Sequence, residues 1–254
     1  MHDETKGAAL VFESAGASDR GRLRAANEDA FGLCQDVFVV CDGMGGAAGG
    51  EVASHMTRDA ILDQLCKDGT GRAEKQSEAQ AMDQLLPEAI TQANTAVYAR
   101  GQEDASLHGM GTTLVVLVFE QKHAWLAHVG DSRGYRLRQG TLERLTRDHS
   151  LVDEQVRLGQ LTPEEAEHSP LRNVITRAIG SHKTVMPEVE SLAVESGDVF
   201  LLCSDGLPRE VSDEHIGGML RDASSAENAC HALIDAANAN GGRDNITCVV
   251  VRAR

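Results

Sequence analysis

The chain has 254 residues, 41% of them hydrophobic, which is enough to bury one substantial core and to fold as one domain over residues 1–254. Its formal charge of −15 repels nucleic acid and anionic lipid, and an aromatic content of 3% leaves few platforms for stacking bases, so neither partner is expected. The opening residues are polar, and the longest uninterrupted apolar stretch, residues 114–119, falls far short of the ~20 that cross a bilayer; a cytoplasmic monomer is expected.

In chain order, the first strand-length apolar run is 37–41, bounded by Asp on both sides. Residues 50–67 contain no proline and read as a helix. Residues 69–77 are polar and read as a mobile loop. A second helix is expected over 87–102, where Ile90, Ala93 and Val97 keep the spacing of one helix face and Pro87 suits the first turn. Strands follow at 112–119, 124–129 and 134–137, all rich in small or branched apolar residues.

Residues 146–179 change to charged, short-period segments, with a helix start at Thr162-Pro163-Glu164-Glu165, and read as an excursion from the core. After a strand at 199–203, Ser212 and Ser225 can cap two helices. The second carries the apolar stripe Ala226, Ala229, Cys230, Leu233, Ile234 and Ala237, and is stopped by Gly241 and Gly242. A last strand covers 246–251. Elements come in blocks rather than in strict alternation, which favours an α+β fold on antiparallel sheet. The six cysteines show no Cys-x-x-Cys pair and are expected to be reduced core residues.

Four of these strands carry an acidic residue at one end. Two segments are near copies, Asp36 to Met44 and Asp198 to Leu207, each an apolar strand delivering Asp-Gly. Asp131 follows the strand at 124–129, and Asp244-Asn245 precedes the last strand. A single Asp-Gly is ordinarily a turn, because Gly takes positive φ and Asp bonds its own backbone. Four such carboxylates converging at strand ends cannot all stay ionised without a counter-charge, and a divalent cation supplies one. The donors are all oxygen, so the implied ion is hard, Mg²⁺ or Mn²⁺ rather than Zn²⁺.

The run from Ser18-Asp19-Arg20-Gly21 through Asn27-Glu28-Asp29-Ala30 resembles the opening motif of the metal-dependent type 2C protein phosphatases. Asp42-Gly43-Met44-Gly45-Gly46, Gly111-Thr112-Thr113, Gly130-Asp131-Ser132-Arg133 and Leu145 to Ser150 resemble the motifs that follow it. So do Thr176 to Gly180, Ser204-Asp205-Gly206-Leu207 and Asp244-Asn245-Ile246-Thr247, in the family's order and over nearly the whole chain.

The resemblance implies a four-layer αββα sandwich, two packed antiparallel sheets flanked by helices, with a flap subdomain at about 146–179. It implies hydrolysis of phosphoserine and phosphothreonine by water activated between two metal ions, opposing a bacterial Ser/Thr kinase. By position, Asp42 bridges the ions, with the Gly43 carbonyl on one of them; Asp205 and Asp244 hold the first, and Asp29 and Glu28 lie near the second. Asp131, with Asp205, matches the site of a third, weaker ion. Arg24 matches the phosphate-binding arginine, whose fork suits two phosphate oxygens.

The chain departs from the family at Met44, where some relatives have a histidine proposed as general acid, and at Ala47 and Pro208. His149 and His168 lie in the expected flap and read as surface residues. Two rival readings stand beside the phosphatase. Cys203 and Arg209 have the Cys-x₅-Arg spacing of thiolate phosphatases, but Asp205 inside that loop would repel phosphate. A catalytically weak or inactive binding module on the same fold is the alternative from another class; the retained aspartates speak against it.

Overall fold

A computed structural model describes residues 10–66, 82–120 and 122–254 of the protein. The loop expected at 69–77 lies outside the described residues. The first half runs β1 (Phe12–Asp19), β2 (Ala30–Cys34), β3 (Val37–Cys41), the short β4 (Gly43–Met44), α1 (Ala47–Leu65), α2 (Met82–Glu103), the short β5 (Gly111–Thr112), β6 (Leu114–Glu120) and β7 (His123–Val129). The second half runs β8 (Arg133–Arg138), β9 (Thr141–Arg144), α3 (Leu151–Arg157), α4 (Pro163–Glu167), β10 (Glu188–Ala193), β11 (Val199–Cys203), α5 (Asp213–Asp222), α6 (Ala226–Ala239) and β12 (Ile246–Ala253).

Two five-stranded antiparallel sheets result, ordered β1-β12-β11-β8-β9 and β10-β7-β6-β3-β2, and their inner faces pack on each other. Strands such as β3 and β11 are buried along their whole length because each has a layer on both sides, and so they read as unbroken apolar runs rather than as alternation. Phe38, Phe119 and Phe200 fill the space between the sheets, with Phe12 and Phe31 packed at its margin, so all five phenylalanines of the chain serve this layer. Helices α1 and α2 cover the outer face of the second sheet, and α5 and α6 cover that of the first. The fold is α+β with helices outside two antiparallel sheets, as expected.

The expected caps are present. Ser225 Oγ accepts from Asn228 N–H at the start of α6, Ser212 caps α5, and Thr162 with Glu165 forms a reciprocal capping box with Pro163 in the first helical position. Helix α2 departs from expectation: it begins at Met82, five residues before Pro87, because Leu85 and Leu86 on the earlier turn pack into the core. The expectation of six reduced cysteines is also corrected. Cys34 at the end of β2 and Cys66 at the end of α1 have Cα atoms 6.0 Å apart and are joined as a disulfide, while Cys41, Cys203, Cys230 and Cys248 are free and buried. A pairing of residues 32 apart was invisible to spacing rules that look for short motifs. Among the described residues, no helix is long and apolar enough to cross a membrane.

Candidate active site

Antiparallel pairing explains why distant acidic residues meet. In the second sheet β3 and β7 both pair with β6 and so run the same way, which brings Asp42 and Asp131, beyond their C-termini, to one edge. Strand β2 runs against β3, so Asp29 before its N-terminus reaches that edge too. In the first sheet β11 and β12 are antiparallel, and Asp205 after one and Asp244 before the other share an end. Burial of Asp42 and its repulsion from Asp29, Asp205, Asp131 and Asp244 hold its carboxyl well above the usual carboxylate range. Five carboxylates from five segments thus form one electrostatic group.

Asp29 and Asp131 are nearly sealed from solvent, 5% and 4% exposed. Burial first, then Asp205 and Asp244, pushes Asp29 up to about 7, against hydrogen bonds from Thr247 and Ser204. Burial and Asp205 push Asp131 up to about 7 as well. Burial raises Asp205, while Arg209 pulls it back. One oxygen of each of Asp29, Asp131 and Asp205 is buried with no hydrogen-bond partner. Orphaned carboxylate oxygens in one electrostatic group, with no nitrogen or sulfur donor among them, fit hard divalent cations.

Uncharged residues of the same motifs hold this group in place. Thr113 Oγ accepts from Asp42 N–H at 2.9 Å and lies 2.6 Å from Ser132 Oγ, while Thr112 Oγ donates to the Asp42 carbonyl at 2.8 Å. Ser204 Oγ donates to Asp29 at 2.8 Å. Asn245 accepts from Glu28 N–H and donates to the carbonyls of Arg20 and Ala26, which fixes the β1–β2 connection that carries Arg24 and Glu28. These roles escaped the sequence because a hydroxyl or amide inside a motif does not announce which backbone group it serves. Repetition of small polar residues beside each aspartate was the available signal.

Arg24 lies at the open side of the group, half exposed, with its guanidinium 2.7 Å from Asp244. Glu28 is raised, chiefly by burial. Gly43 has a use beyond the one expected of it: a Cβ there would lie 2.2 Å from the Gly50 carbonyl and 2.5 Å from the Glu28 carbonyl, so only glycine lets β4 nest between these segments.

His149 does not lie on the surface. It is 6% exposed and stacks on His128 with ring centroids 4.6 Å apart; its Nδ1 accepts from Gly130 N–H, and Arg177 and Glu188 meet its Nε2. Burial, His128 and Arg177 lower it to about 4. His168 is exposed, as expected. Among the described residues, His128, His149 and Glu188 have donor atoms within 4.8 Å of one another, a set able to hold a metal ion. Their bonds are otherwise committed. His128 Nε2 meets the Arg147 carbonyl, and His149, accepting at Nδ1, carries its proton at Nε2; stacked rings also aim their in-plane lone pairs side by side rather than at one point.

Cys203 is fully buried, and burial pushes its thiol up to about 12, while Arg209 is paired with Asp205. The thiolate reading is therefore rejected.

The family model described as Protein phosphatase 2C matches residues 27–246. The serine/threonine protein phosphatase PstP of Mycobacterium tuberculosis is 42% identical over 243 residues, 95% of this chain and 45% of that protein, so the chain spans about half the length of this relative. A serine/threonine phosphatase stp of Listeria welshimeri is 36% identical over 239 residues, 92% of this chain and 93% of that one. A crystal structure of the catalytic domain of PstP in complex with two manganese ions aligns with a TM-score of 0.84 at 38% identity, covering 96% of this chain and 99% of that one. With the sandwich, the motif order and these likenesses in agreement, the chain belongs to the bacterial branch of the protein phosphatase 2C family of serine/threonine phosphatases.

Proposed function

We propose that the chain is a divalent-metal-dependent protein phosphatase acting on phosphoserine and phosphothreonine, in the cytoplasm, as a monomer of one domain with a flap at residues 146–179. The observation that carries this reading is the convergence of five carboxylates, three of which, Asp29, Asp131 and Asp205, have a buried oxygen that lacks a partner. Asp42, the Gly43 carbonyl, Asp205 and Asp244 would hold Mn²⁺ or Mg²⁺ ions, with Asp29 and Glu28 near a second ion and Asp131 with Asp205 at a third, weaker one. When bound, such ions supply the Lewis acidity that activates water at neutral pH and offsets charge on the phosphoryl oxygens.

The chain's own residues do the rest. Thr112, Thr113 and Ser132 orient Asp42, Ser204 orients Asp29, and Asn245 holds the segment bearing Arg24. Arg24, already half solvated at the mouth, can trade Asp244 for two oxygens of a phosphate. Met44 has no proton to give to the leaving oxygen, and the Nε2 proton of His149 is engaged by Glu188. A bacterial Ser/Thr kinase that makes the phosphoprotein substrate is the partner this chemistry opposes.

Hydrolysis of a phosphothreonine peptide by purified protein, with and without Mn²⁺, tests the reading. Wild type and Cys203→Ser should turn over only with metal, and Asp42→Ala or Asp205→Ala should lower turnover by orders of magnitude, with Asp131→Ala costing less. Turnover retained by Asp42→Ala at saturating Mn²⁺ would refute the assignment, and Mn²⁺ binding without turnover in wild type would favour a binding module.

A further inference from the structure

Arg209 follows β11 by one turn. Backbone bonds from Leu207 N–H to the Ser204 carbonyl, from Arg209 N–H to the Asp205 carbonyl and from Val211 N–H to the Leu207 carbonyl wind this segment helically. That turn sets residue 209 directly over residue 205, the four-residue spacing at which side chains meet. Pro208 fits inside it, since its fixed φ is helical. The guanidinium pairs with Asp205, lies 3.6 Å from Asp131 Oδ2, and reaches 3.8 Å from Asp244 Oδ2. One cation therefore serves carboxylates from both sheets, and it pulls both Asp205 and Asp131 back toward their ionised forms.

We propose that Arg209 is a resident counter-cation of the Asp131–Asp205 pair, competing with a divalent ion for the same carboxylates and so setting how many ions the chain holds. The inference rests on the metal-site reading above. Arg209 occupies the Oδ2 atoms of Asp131 and Asp205 while their Oδ1 atoms stay unpartnered, so the competition is one of charge: a divalent ion on these carboxylates is repelled by the guanidinium at this distance. The Arg209 side chain is one-third exposed, so it can leave by rotating into solvent, and an ion that enters between Asp131 and Asp205 is held more tightly once it has left. Asp205 and Asp244, the pair assigned to the first ion, feel the same guanidinium, whereas Asp42 and Asp29 are not among the ion pairs that it forms.

The test is equilibrium dialysis of Mn²⁺ against metal-free protein, with bound Mn²⁺ counted by electron paramagnetic resonance. Arg209→Ala and Arg209→Gln should bind the Asp131-dependent ion about tenfold more tightly than wild type, within the range usual for coupled sites. Arg209→Lys, which keeps a positive charge, should stay near wild type, and adding Asp131→Ala to Arg209→Ala should abolish the gain. Arg209→Gln, nearly isosteric, serves if the alanine variant fails to fold. Superimposable isotherms for wild type and both neutral variants overturn the proposal, as does weaker binding in them, which would make Arg209 an organiser of the carboxylates instead of a rival cation. Wild type that binds no Mn²⁺ sinks the metal-site reading itself, whereas wild type that binds ions unaffected by Arg209 sinks only this inference.

Discussion

Thr113 carries no charge, yet the Asp42 backbone depends on it. Thr113→Val keeps the shape and removes the acceptor for a buried N–H, an omission that costs about 1–3 kcal/mol. Because Asp42 would shift, kcat should fall roughly tenfold or more while circular dichroism stays unchanged. Asp29 and Asp131 lead to a pH prediction. Both are raised to about 7 when folded, against a usual value near 3.8, so in metal-free protein the folded state binds more protons than the unfolded state between these limits. The stability they allow is complete below about 4 and is lost as pH rises through 7. Thermal melts in EDTA should give a higher Tm at pH 5 than at pH 8, and Mn²⁺ should erase the difference; equal melts in EDTA would count against the shared burial. Asp42, Asp131, Asp205 and Asp244 were legible in the sequence because each flanks an apolar strand, whereas Asp29 was reached through the family resemblance. Their hydroxyl and amide supports were not legible, since those depend on which strands become neighbours.

At the scale of elements, legibility followed burial. The strands sealed on both faces, β3, β6, β7, β11 and β12, have apolar runs that no turn could explain. β1, β2 and β10 did not stand out. β10 is an edge strand with glutamate at alternate positions, and β1 carries a glycine at its centre, where a Cβ would meet the Phe31 ring at 2.5 Å. α2 escaped in its first turn because proline is tolerated once packing outweighs one lost backbone bond. The Cys34–Cys66 link ties the end of β2 to the end of α1, the helix whose Gly50 lies beside Glu28. Alkylation of unfolded, unreduced protein should label four thiols, and six after reduction. Dithiothreitol should lower the Tm of wild type and leave that of Cys34→Ser unchanged, with about 2–4 kcal/mol at stake for a disulfide of this kind.

Across the whole molecule, the aromatic layer is what makes two sheets into one platform for the site. Phe119 stacks on Phe12 at 4.1 Å and meets Phe38 and Phe200 edge-on at 5.8 and 5.4 Å. Phe119→Ala should cost about 3–5 kcal/mol, read as a lower denaturant midpoint at unchanged slope, and Phe12→Ala at the margin should cost less. The bridge between Thr112 and Ile179 has its own consequence at this scale. The two residues exchange both backbone hydrogen bonds, at 3.0 and 2.8 Å, and Thr112 also holds the Asp42 carbonyl. The returning arm of the 146–179 excursion is thereby latched to the residue on which the chemistry would turn. A phosphoprotein that shifts that arm would be felt at Asp42 without touching it, and slowed deuterium uptake at the Ile179 amide on substrate binding would report the latch tightening.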